Sequence, residues 1–141
     1  MIDKIMRGLQ DATEVFREQT SNLGEGAKAR TEKIIEDWLQ VFPKLEIYGL
    51  EITSFSLGVA ISPSIEVELV GKHAQFTKER LQEIIDANRK NAILLSVFNT
   101  IKTAYSFHRK TLASLREPLI VKIKVKLSPE IKVFIGEPLI Q

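Results

Sequence analysis

Residues 61–71 read ISPSIEVELVG, and residues 127–136 read LSPEIKVFIG. The shared frame is aliphatic-Ser-Pro-x-Ile-x-Val-x-aliphatic, repeated at an offset of 66 residues. Phe55, Leu57 and Val59 fall on Val121, Ile123 and Val125 at that same offset. Apolar residues at every second position mark a strand with one dry face and one wet face. Ser-Pro is a turn signal, because proline presets one backbone angle and serine bonds its own backbone. Each segment therefore predicts a β-hairpin, the first within 45–71 and the second within 118–136. The echo also raises an internal αββ duplication. Against it, the helical segments before the two hairpins do not match, and any two alternating hairpins turned by Ser-Pro look alike.

The hairpins differ most in charge. The first carries Glu66 and Glu68 on its polar face, and the second carries Lys122, Lys124, Lys126 and Lys132. In one shared antiparallel sheet, opposite charges could lie across from each other and help fix which strands pair. Lysines also protect an edge strand from pairing with other molecules. One irregularity is visible: Leu45 and Ile47 share the parity of Phe55, but Leu50 and Ile52 do not. Gly49 sits where the parity breaks, so a bulge or bend is expected there.

The rest of the chain has helical spacing. Ile2, Ile5, Met6, Leu9, Ala12 and Phe16 predict a helix over 3–20. Ile34, Ile35, Trp38, Leu39 and Phe42 predict a second over 27–42, stopped by Pro43. A third stripe runs from Leu81 to Leu115, with Thr77 as N-cap. Unbroken, that helix would span about 60 Å, in a domain that should be only about 35–40 Å across. Either it breaks near Asn88-Arg89-Lys90-Asn91, or it protrudes and meets another subunit; a single long or bent helix over 77–116 is the expectation. The predicted fold is α+β: a four-stranded antiparallel sheet from two β-hairpins packed against long amphipathic helices, in the order α-α-β-β-α-β-β.

At 141 residues, a single domain over 1–141 is expected, with 1–44 as its helical N-terminal part. That length buries enough surface to need no staple. There is no cysteine, which removes disulfides, thiolate catalysis and Cys-ligated metal sites. The first residues lack the apolar core of a signal peptide, and no apolar run approaches the length of a membrane span, so the cytoplasm is expected. The net charge of +2 is unevenly placed, with residues 102–141 carrying 8 Lys/Arg and 3 Asp/Glu. Such asymmetry marks either an anionic partner or a segment that pairs with acids elsewhere in the fold.

Tyr105, His108 and Arg109 lie within one to two helical turns, and with Lys102 and Arg116 they suggest an anion pocket or a general acid/base group. The plainer account is that bases near a helix C-terminus complement its dipole. His73 and His108 lack a neighbouring carboxylate motif, so no metal site is expected. No nucleophile elbow, zinc-helix, phosphate-loop or dinucleotide motif occurs, so no catalytic residue and no cofactor are assigned. The lysine stripe lacks the exposed aromatics on which bases stack, and Phe134 alone is a candidate, so nucleic acid is disfavoured. A membrane surface is also disfavoured, because the polar face of 2–20 mixes acids with bases. Tyr48, Leu50 and Ile52, with Ile120 and Phe134, form an off-parity apolar set that would face away from the helices and require a cover. The expected function is a non-enzymatic interaction or assembly module that self-associates as a homo-oligomer or takes a protein partner. The alternative is a small-molecule or lipid binder taking an apolar or anionic ligand between sheet and helices, with an enzyme built on Tyr105, His108 and Arg109 a further option.

Overall fold

The computed structural model describes residues 25–59 and 63–139, the side chains of 25–28 excepted. The helix expected over 3–20 lies outside the described residues. The elements are α1 (Glu25–Ile47), β1 (Glu51–Gly58), β2 (Ser64–Gly71), a short 3-10 turn (His73–Gln75), α2 (Lys78–Ala87), α3 (Ala92–Lys110), β3 (Leu119–Val125) and β4 (Glu130–Ile135). The fold is α+β, and its four antiparallel strands stand in the order β1-β2-β3-β4.

Both hairpins form, and one sheet holds them. Ile65, Val67 and Leu69 of β2 and Val121, Ile123 and Val125 of β3 are buried on the face that meets the helices. Because every neighbour is antiparallel, β3 runs parallel to β1 and β4 to β2. A shift of two strands thus carries the first hairpin onto the second, and Ile65, Val67 and Leu69 fall on Ile131, Val133 and Ile135, which also pack on the core. The opposite face carries the charges. Glu66 stands across from Lys124 and Glu68 from Lys122, at 3.4 and 3.8 Å. Exposed cross-strand pairs of this kind contribute about 0.2–1 kcal/mol each, so they specify the β2–β3 pairing more than they stabilise it.

Three boundaries differ from the sequence expectation, each for a local reason. Pro43 does not stop α1, which continues to Ile47 with the proline inside it. Phe42 and Leu45 on either side are fully buried, and that packing outweighs the lost backbone bond. Residues 45–47 are therefore helical, not the start of the first strand.

Gly49 is consequently a helix end. Its amide donates to the Glu46 carbonyl at 3.0 Å, and the Leu50 amide donates to the Leu45 carbonyl at 3.0 Å. With Gly49 at φ +113° and Leu45 packed near Leu50, this is a Schellman cap.

The β-bulge lies further on. Ile52 pairs with Leu69 and Ser54 with Glu68, leaving Thr53 as the extra residue. That one insertion puts Ile52 on the same face as Phe55 and Leu57, although their sequence parity differs. Without Thr53 the same register would run as a regular ladder. Its deletion is expected to change stability by less than about 1 kcal/mol, losing only hydroxyl contacts to the Glu68 carbonyl and carboxylate at 3.3 and 3.2 Å. Deleting Ser56, which would set Phe55 and Leu57 on opposite faces, is expected to cost several times more by urea denaturation.

The long helix is broken at the predicted place. Asn88 ends α2 and Asn91 caps α3, its side chain accepting from the Leu94 amide at 3.2 Å. The Asn88 side-chain amide also donates to the Ile84 carbonyl and to the Tyr48 hydroxyl, at 2.7 and 2.9 Å. The break folds α2 back against α3. A single protruding helix over 77–116 is thus replaced by two packed ones, and the reason it gave for a second subunit disappears.

Candidate functional site

The five off-parity residues do not form one surface. Leu50 is fully buried, and Ile52 is half-buried on the helix side. Tyr48 sets its ring edge-on against Phe98 with centroids 5.6 Å apart. Only Ile120 and Phe134 lie on the face away from the helices, paired across β3 and β4 with Val70 beside Ile120; Ile120 is nonetheless buried, and Phe134 is half-exposed. The assumption that failed was the placement of the bulge: moving it from Gly49 to Thr53 returns Leu50 and Ile52 to the core. On the open face the Lys122 ammonium sits 5.2 Å from the Phe134 ring centre, and Lys122 and Lys124 each meet a glutamate. That face is a shallow, charge-balanced surface.

Tyr105, His108 and Arg109 are brought together. They line a groove of about 630 Å³ between α2, α3, the 3-10 turn and the connection 111–118. Lys102, Tyr105, Ser106 and Arg109 recur at three- and four-residue spacing, so α3 presents them along one stripe. Phe76 and Leu81 supply apolar floor, and Leu112 and Leu115 form an apolar lip. Lys78 enters from the first turn of α2. Among the described residues no aspartate or glutamate lines this groove. The Lys102 ammonium is held by a hydrogen bond to the Gln82 side-chain oxygen, at 2.9 Å, which fixes its position without neutralising it.

Sequence reasoning missed His73. It is buried and joins three segments distant in sequence. Its Nε2 lies 2.6 Å from the Arg116 carbonyl. A carbonyl only accepts, so Nε2 carries the proton. In the neutral imidazole Nδ1 then accepts from the Tyr105 hydroxyl, also at 2.6 Å. The His73 backbone amide donates to the Glu117 carboxylate at 3.1 Å. Burial, and secondly the nearby Glu117 charge, push the Tyr105 hydroxyl well above its ordinary value. Tyr105 therefore stays protonated and serves as a donor. The sequence signal for this contact was weak, since the two residues are 32 apart; an unexplained histidine straight after a core strand was the available hint.

Compared with family models, characterised proteins and solved structures, the chain matches none. Among the described residues no cluster of three or more His, Asp or Glu side chains could hold a metal ion, and no helix is long and apolar enough to cross a membrane.

Proposed function

We propose that the chain is a non-enzymatic binding protein whose α2–α3 groove takes a small amphiphilic anion. The supporting observation is the pairing of an apolar floor with cations: among the described residues, Lys78, Lys102 and Arg109 meet no carboxylate in the groove. On the sheet, by contrast, Lys122 and Lys124 are each answered by a glutamate. The volume lies within the range of small-molecule sites, roughly 300–1,000 Å³. An acyl tail would lie on Phe76 and Leu81, and an anionic head would meet Lys102 and Arg109.

Two alternatives lose support. Self-association drew on an over-long helix and a second apolar face; the helix is folded back, and three of the five residues of that face pack toward the core. The enzyme option built on Tyr105, His108 and Arg109 keeps its concave site around His108, but burial holds the Tyr105 proton in place, so that hydroxyl is a poor base near neutral pH. The ligand site also moves, because the space between sheet and helices is filled by Phe42, Leu45, Phe98 and their neighbours.

Displacement of anilinonaphthalene sulfonate by decanoate, with decanol as the uncharged comparison, tests this reading. Decanoate is expected to compete and decanol to compete far less. Lys102→Glu with Arg109→Glu should weaken decanoate by roughly 10- to 100-fold, since a charge-assisted contact contributes about 1.5–3 kcal/mol. Equal competition by acid and alcohol would remove the anion from the proposal, and no competition by either would remove the ligand.

A further inference from the structure

The connection after α3 carries a second feature, on the outer side of the groove's lip, which shares Arg109, Leu112 and Leu115 with the groove. Leu112 is 92 % exposed, and Phe107 and Leu115 are 61 % and 52 % exposed. Leu112 also has φ +60°, a left-handed conformation normally left to glycine or asparagine in a turn that faces water. Arg109, Lys110 and Arg116, which flank it in sequence, are exposed. No acid occurs between Asp86 and Glu117, a stretch that holds Arg89, Lys90, Lys102, Arg109, Lys110 and Arg116. The Glu117 carboxylate that closes the stretch is turned to the His73 amide.

We infer that this edge docks on an anionic lipid bilayer. Leu112 and Leu115 enter the boundary between head groups and acyl chains, and Arg109, Lys110 and Arg116 meet the lipid phosphates and carboxylates. Exposed apolar side chains flanked along the chain by long cations are suited to an interface that is apolar below and anionic above. A protein partner would need a socket shaped to Leu112, whereas a bilayer takes a projecting side chain without one.

Co-sedimentation of the full chain with phosphatidylcholine vesicles, with and without about one-third phosphatidylserine, tests the inference. Binding at least tenfold stronger to the anionic vesicles is expected, falling as salt is raised. Leu112→Gly should abolish most of it, and because glycine suits the local backbone, that loss cannot be assigned to unfolding. Lys110→Glu, which lies outside the groove lining, should weaken it severalfold. Lys102→Glu should leave it unchanged while weakening decanoate, so failure at the membrane and failure at the groove are separable. Equal binding to both vesicle types, or wild-type binding by Leu112→Gly, would overturn the inference. So would vesicle-free sedimentation showing a dimer that Leu112→Gly dissociates, since the edge would then be a contact between copies.

Discussion

Replacing His73 with alanine is expected to lower stability by about 2–4 kcal/mol, because a buried donor and acceptor lose their partner together and a cavity opens. The Tyr105 hydroxyl and the Arg116 carbonyl are the groups left behind. Tyr105→Phe removes the other half of the same contact and should cost about 1–2 kcal/mol. The double variant should cost less than the sum, since each single change already breaks the shared bond. Urea denaturation of the four proteins checks this, and simple additivity would show that the two side chains are not coupled. The pair also sets an alkaline limit. The folded-state value of Tyr105 is raised above its unfolded value near 10, so its stabilisation is complete below that pH. As pH rises further, the unfolded chain loses the proton and the folded chain keeps it. Stability should then fall by about 1.4 kcal/mol per pH unit from this group alone. Tyr105→Phe should show an alkaline limb flatter by that amount.

What could be read from residues alone depended on whether the controlling interaction was local. The hairpins were legible because alternation and Ser-Pro turns are local. Their union in one sheet was legible because Glu66 and Glu68 needed the second hairpin's lysines. The break at 88–91 was visible as a site, but a propensity stripe does not say whether two asparagines will cap or merely interrupt. Pro43 misled because proline reports the lost bond and clash but not the burial of Phe42 and Leu45, which outweighs them. Half of the site was legible: Tyr105, His108 and Arg109 share a helix, so spacing alone places them together. His73, Phe76 and Lys78 reach the groove through the fold of the chain after β2, and no local pattern encodes that approach.

Leu50 gives the sharpest test of the corrected face. Leu50→Ala is expected to cost about 3–4 kcal/mol, within the range for a fully buried leucine whose neighbours cannot collapse onto the gap. Those neighbours are constrained. Leu50 follows the Gly49 cap, packs near Leu45, and lies so close to Gly71 that a methyl group added there would sit 3.2 Å from a Leu50 methyl. Phe134→Ala, on the open face, should cost about 1 kcal/mol or less beyond its lost packing on Ile120, because a half-exposed ring already touches water and its cation contact with Lys122 is weak in solvent. If Leu50→Ala cost as little as a surface substitution, Leu50 would not be buried beneath the helices, and the change of face at Thr53 would lose its support. A large Leu50 cost beside a small Phe134 cost is what a strand that changes face at Thr53 requires, and it leaves the α2–α3 groove, with its basic apolar edge, as the surface to probe for function.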